Sequence, residues 1–276
     1  MQAHTASTRV KALVAGTYVV MIAMNALANA LPINGRTTGE VSDAYQNLFA
    51  PAGLTFSIWG VIYLLLGAHV LYQLGLFHDR TDAAPDRARL LTRVGVLFSA
   101  SSLVNAVWIL AWHFDLILLS TLLLAALLVL LILITRTVLA TDLTLRERIL
   151  VRLPFSVYFG WITVATIANT TVWLVSIGWD RFGLPETTWA VIILAVGAII
   201  GTTVIFRDRD VAYGLVLVWA YLGIWIKHTS ADGFDGAYPI VATVVLVCLA
   251  VFVAALVGAV TLMVRSRSLD QADPRP

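Results

Sequence analysis

The sequence predicts an all-α fold, a polytopic membrane helix bundle of about eight transmembrane helices with N- and C-terminus both in the cytoplasm. Three observations predict it. Of the 276 residues, 60% are hydrophobic and only 12% charged, about half the charged fraction of a soluble domain, and the mean hydropathy is +0.89. Apolar stretches long enough to cross a bilayer take up most of the chain. The 18 basic residues fall almost entirely into alternate gaps between those stretches, the pattern of cytoplasmic loops.

The spans read as Leu13–Leu31, Leu54–Leu76, Val94–Trp112, Leu116–Ile134, Leu153–Ile177, Trp189–Ile205, Val211–Ile226 and Ile240–Val264. At about 1.5 Å per residue most of them cross a hydrocarbon core of about 30 Å; the seventh is the shortest. Arg9 and Lys11 precede the first span, which ends on Ala28-Asn29-Ala30. That triplet also resembles a signal-peptide cleavage site, but the stretch is already long enough to span, so it is retained as a helix. The loop from Pro32 to about Gly53 holds Gly35, Gly39, Glu40, Asp43 and Tyr45, and is either a folded lid or a solvated tether. His113-Phe114-Asp115 permits only a tight hairpin between spans three and four. Arg80, Arg87, Arg89 and Arg93, then Arg136, Arg146, Arg148 and Arg152, then Arg207 and Arg209, then Arg265, Arg267 and Arg275 mark the cytoplasmic side. The opposite loops carry Arg36, Arg181 and Lys227 alone. The polar tail from Ser266 to Pro276 is expected to be unstructured.

Composition excludes several functions. The net charge of +2 is too small and too scattered for nucleic acid. The single Cys248 rules out an internal disulfide and any cysteine metal cluster, and no metal site is expected. No Asp, Glu, Lys or Arg occupies the centre of a span, which argues against a proton pump, an ion-coupled carrier or a voltage sensor. Lys227 sits at the interface with no acidic counter-ion in the third span, as a snorkelling lysine does. An enzyme is disfavoured, with no catalytic residue assigned, since no nucleophile–base pair is visible and His69 has no evident partner.

Uncharged polar and aromatic residues concentrate in spans one, two, three and five. Asn25 and Asn29 share one face of the first; Phe56, Trp59 and Tyr63 share one side of the second. Ser101, Asn105, Trp108 and Trp112 form a stripe on the third, and Thr166, Asn169, Thr170 and Trp173 recur at helical spacing on the fifth, after Trp161. Taken singly, such an Asn ties two helices together and such a Trp anchors at the headgroups. Taken together, aromatic walls with a few amides suit a flat, largely apolar ligand. Gly197-x-x-x-Gly201 in the sixth span permits close packing, within the protein or in a homodimer.

These residues resemble the tryptophan-rich sensory protein family, also called the translocator protein or peripheral benzodiazepine receptor family. Pro51 leading to Trp59-Gly60 and Tyr63 is similar to the family's entry to its second helix. Asn105-Ala106-Val107-Trp108 is similar to its third-helix motif, and Trp161 through Ala165-Thr166 to Asn169 and Trp173 is similar to its fifth. The chain departs from the pattern at Ala50, Gly53 and Val157, where the family has proline, tryptophan and proline. The resemblance covers Leu13 to Ile177 and implies a five-helix bundle over residues 1–177, roofed by the loop between the first two helices. Residues 178–264 would be three additional transmembrane helices, outside the compact family pattern, and 265–276 a cytoplasmic tail. It further implies porphyrin or other hydrophobic ligands and an integral protein of the bacterial inner membrane.

The expected function is binding of a planar hydrophobic molecule, a tetrapyrrole among the candidates, in a sensory or regulatory role. Trp59, Tyr63, Trp108, Trp161 and Trp173 would supply ring surface, Asn105 and Asn169 would orient polar groups, and Pro51 and Gly53 would shape the turn from lid to helix. The alternative is a transporter of a neutral or lipophilic solute. Expected partners are membrane lipid and a hydrophobic small molecule, with no obligatory cofactor.

Overall fold

The computed structural model describes residues 7–31, 33–77 and 85–272, and of residues 85 and 266–272 the backbone alone. Pro32, Arg80 and Arg275 lie outside the described residues. In chain order the helices are α1 (Thr8–Ala30), α2 (Thr38–Asp43), α3 (Ile58–Leu74), α4 (Pro85–His113), α5 (Ile117–Leu139), α6 (Leu145–Glu147), α7 (Leu153–Ser176), α8 (Glu186–Asp208), α9 (Val211–Thr229) and α10 (Pro239–Ala272). A 3-10 turn, Gly53–Ser57, leads into α3, and a π turn, Arg148–Arg152, joins α6 to α7. Among the described residues eight helices are long and apolar enough to cross a membrane, one for each predicted span, so the fold is a polytopic helical bundle. The last helix continues to Ala272, so the start of the expected unstructured tail is helical.

Local chemistry sets the helix ends. The Ser7 hydroxyl accepts from the Val10 amide at the start of α1. Capping boxes open α2 (Thr37 with Glu40) and α6 (Thr144 with Glu147). Gly75 closes α3 in the left-handed region at φ 108°, which only glycine adopts freely. The π turn before α7 has an identifiable cause. Pro154 has no amide hydrogen to return to the Leu150 carbonyl, and its ring crowds that carbonyl. The turn widens by one residue, so that the Leu153 amide bonds Arg148 instead. The released Leu150 carbonyl accepts from His69 Nδ1 at 2.9 Å. A carbonyl only accepts, which fixes the histidine tautomer and makes fully buried His69 a core residue with a partner.

The helices cluster into two compact units. One holds the chain through Gln46 and Phe56–Gly178; the other holds Asn47–Thr55 and the chain from Trp179 on. In the first, α4 packs between α1 and α5, α5 packs on α7, and α3 packs on both α7 and α1. Five spans therefore close a ring. Leu64, Leu122 and Val129 are exposed on its outside, as lipid-facing side chains should be.

In the second unit α10 packs against α8 and α9. Gly201 makes this possible: a methyl group there would strike Leu217 and Phe252, so the close approach that this glycine permits is internal. The strap Asn47–Thr55 lies along α9. Ala52 N–H donates to the Gly223 carbonyl at 2.9 Å, Trp219 Nε1 donates to the Thr55 carbonyl at 3.0 Å, and His228 Nε2 meets the Leu48 carbonyl at 2.9 Å. Phe49 packs edge-on against Tyr221.

Candidate ligand site in the five-span ring

Trp59, the second residue of α3, is the hub of an aromatic cluster drawn from three helices. Its ring lies 5.4 Å from Tyr63, 5.6 Å from Trp108, 6.0 Å from Tyr158 and 6.1 Å from Trp161. Phe56 closes edge-on against Trp161 at 6.0 Å, and Trp112 stacks beyond Trp108 at 6.4 Å. Trp108, Trp112, Tyr158 and Trp161 are buried. These are the separations at which aromatic pairs attract.

Two amide networks brace the cluster. In the first, Asn25 of α1 donates through Nδ2 to Asn105 Oδ1 at 2.7 Å, and Asn105 Nδ2 donates to the Tyr158 hydroxyl at 3.0 Å. Asn105 is thus engaged through both its amide oxygen and its amide nitrogen, tying α1, α4 and α7 together behind Trp59. In the second, Asn169 Oδ1 accepts from the Ser120 hydroxyl at 2.7 Å and from Trp108 Nε1 at 3.4 Å. An indole nitrogen and a hydroxyl both donate here, so the amide oxygen must face them and Nδ2 must face away.

That leaves polar atoms with nothing to bond. Asn169 Nδ2, Trp161 Nε1 and the Tyr63 hydroxyl are buried and have no hydrogen-bond partner among the described residues. Each such atom costs about 1–3 kcal/mol when dry, and these three fall within one cluster and its bracing network. All three can donate, so the chemistry they ask for is an acceptor.

The outer end is folded over rather than left as a tether. Thr38 of α2 donates to Asn29 Oδ1 at 3.2 Å, and its carbonyl accepts from Trp112 Nε1 at 3.1 Å. Asn34 donates to the His113 carbonyl at 2.9 Å, and Arg36 pairs with Asp115. Tyr45 donates to the other Asp115 oxygen at 3.2 Å; burial first, then the Asp115 charge, raise its phenol above the ordinary value and keep it a donor. Glu40 is held below the usual carboxylate range, chiefly by the Thr37 backbone amide.

Of the residues singled out from sequence, Trp59, Tyr63, Trp108 and Trp161 come together in the ring cluster, and Asn105 and Asn169 brace it. Trp173 makes no ring contact with the cluster; its carbonyl caps the end of α7 by accepting from Ser176 and Ile177. Pro51 is buried and Gly53 exposed in the strap on α9. Tyr158 and Ser120 were not foreseen. Tyr158 precedes Trp161 by three residues and so shares its face, and Ser120-Thr121 is the one polar pair at the start of an otherwise leucine-rich span.

The family model for TSPO-like proteins matches residues 11–258. The match runs through α8 and α9 and ends part-way along α10, so it takes in the first two C-terminal spans and part of the third. No curated protein and no solved structure matches the chain.

Proposed function

The chain belongs to the TSPO-like protein family, and from that premise we propose that its five-span ring binds a planar, largely hydrophobic molecule against the Trp59 cluster. A tetrapyrrole is the first candidate, and the role is sensory or regulatory. The single observation that carries this reading is the union of a ring cluster with three buried donors lacking acceptors. A ligand that stacks on the indoles and brings carboxylate or carbonyl oxygens satisfies both.

The rings touch one another at 5.4–6.1 Å. A flat guest between two parallel rings needs about 7 Å between their planes, twice an aromatic contact of about 3.5 Å. The guest therefore lies against the cluster, with its edge toward Trp161 Nε1 and Asn169 Nδ2. Asn105 acts through Tyr158 as a positioning residue. Trp173, one turn beyond Asn169 on the same face of α7, extends the apolar surface. Pro51 and Gly53 shape the strap that leads into α3. The arginine-rich end faces the cytoplasm of a bacterial inner membrane.

Quenching of tryptophan fluorescence in detergent tests this, with a dicarboxylate porphyrin and an acceptor-free planar hydrocarbon as paired probes. Trp161→Phe with Asn169→Leu is expected to weaken the porphyrin roughly tenfold or more and to leave the hydrocarbon nearly unchanged. Trp108→Phe with Trp173→Phe is expected to weaken both. Unchanged porphyrin affinity in both double variants removes the site from the ring.

A further inference from the structure

A concave site opens at the arginine-rich end of the same unit, between α4 and α5. A hollow of about 680 Å³ is lined by Arg87, Arg89 and Arg93 of α4 and Arg136 of α5, with Asp86 and Asp142 on its rim. Arg89, Arg93 and Leu133 also line an adjoining trough of about 580 Å³, whose other walls include Val96 and Leu97. Those three residues form the wall common to both spaces.

Helical register explains the arrangement. Residues 89, 93, 96 and 97 recur at i, i+4, i+7 and i+8, and residues 133, 136, 137 and 140 at i, i+3, i+4 and i+7, so each set makes one face. Along the α4 face the chemistry changes from guanidinium to aliphatic within about 4.5 Å, the rise from residue 93 to residue 96. This is the polarity step of a phospholipid at the junction of headgroup and acyl chain.

The charges do not cancel locally. Arg87 is committed to Glu147 and to the Asp142 carbonyl, and exposed Arg89 pairs with exposed Asp86 one turn away. Arg93 makes no ion pair or hydrogen bond among the described residues. With Glu147 counted against Arg87, four guanidinium groups stand against three carboxylates, and Arg93 is the guanidinium at the seam with the trough. Membrane topology alone requires arginines at this end of the spans; it does not require them to line a hollow that shares a wall with an apolar trough.

We propose that this is a binding site for one anionic phospholipid, its phosphate held by Arg89 and Arg93 with Arg136 opposite, and one acyl chain lying on Val96, Leu97 and Leu133. Basic pockets between helices at this membrane face commonly take such headgroups. The inference is independent of what binds at the Trp59 cluster.

Native mass spectrometry of the full-length protein in detergent, titrated with phosphatidylglycerol or phosphatidylcholine of matched chains, tests it. Phosphatidylglycerol is expected to be retained at least tenfold more tightly. Arg89→Gln with Arg93→Gln should reduce that preference by roughly tenfold or more, at about fivefold per arginine, and Arg93→Lys should restore much of it to an Arg93→Gln background. Arg9→Gln, at the same end but away from the hollow, should leave the preference intact. Leu133→Gln should weaken both lipids, because it puts an amide in the trough, and glycerol 3-phosphate should not compete. Equal retention of the two lipids, or a preference that survives the double substitution, overturns the proposal. Competition by glycerol 3-phosphate overturns it in favour of a soluble phosphate ester.

Discussion

Replacing Asn105 by alanine removes the hub of the amide network and is the sharpest test of the ring's internal bracing. Two buried bonds disappear at once, the one accepted from Asn25 at 2.7 Å and the one donated to Tyr158 at 3.0 Å. Asn25 keeps its bond to the Met21 carbonyl, so its loss is partial, whereas the hydroxyl of fully buried Tyr158 loses its amide donor. Interhelical hydrogen bonds in membrane bundles are worth about 0.6 kcal/mol on average and up to about 1.7. Two of them give a cost of roughly 1–3 kcal/mol. Reversible unfolding in mixed micelles of rising denaturing-detergent fraction measures this. A double-mutant cycle of Asn105→Ala with Tyr158→Phe isolates the second bond, with an expected coupling near 1 kcal/mol. Tyr158 lies against Trp59, so the same variant should shift the Trp59 contribution to the fluorescence spectrum. A cost below about 0.3 kcal/mol with no coupling would refute the bracing role.

Three further outcomes are expected. Gly223→Ala puts a methyl group onto Thr55 at a cost of about 1–3 kcal/mol, and hydrogen exchange should show lost protection in residues 47–55; full protection would mean that the strap does not depend on that close approach. His69→Leu leaves the Leu150 carbonyl without its donor, costing about 1–3 kcal/mol, and adding Pro154→Ala should recover part of this by returning an amide hydrogen; no recovery would sever the link between the proline and the π turn. Glu40 has a folded-state pKa below its ordinary value of 4.5, so its contribution is full above that value and fades as pH falls through the depressed one. Melting curves from pH 7 to pH 3 should therefore fall less steeply for Glu40→Gln than for the parent protein, and identical slopes would contradict the capping-box assignment.

The spans were legible because hydrophobic runs and arginine placement are each dictated by the bilayer, independently of which helix touches which. The tryptophan and asparagine stripes were legible for a related reason, since period 3.6 places Trp59 with Tyr63 and Asn105 with Trp108 on common faces. What the stripes do not encode is which polar group is consumed by a neighbour. Asn105 and Asn169 look alike in the sequence, yet the first uses both amide atoms, on Asn25 and Tyr158, and the second has no partner for Nδ2 among the described residues. The partner of His69 was equally hidden, because it is a backbone carbonyl released by a proline 85 residues away in sequence. The docking of the strap on α9 rests on Gly223, Trp219 and His228 meeting backbone carbonyls, amides and Thr55 more than 160 residues earlier, a pairing that no local pattern announces.

The most direct measurement is an experimental structure of the protein with a porphyrin bound. The macrocycle should stack against the Trp59, Trp108 and Trp161 cluster, with ligand oxygens within hydrogen-bond reach, about 3 Å, of Trp161 Nε1 and Asn169 Nδ2. A porphyrin seated elsewhere, with those two nitrogens still unpartnered inside an undisturbed ring cluster, would contradict the account.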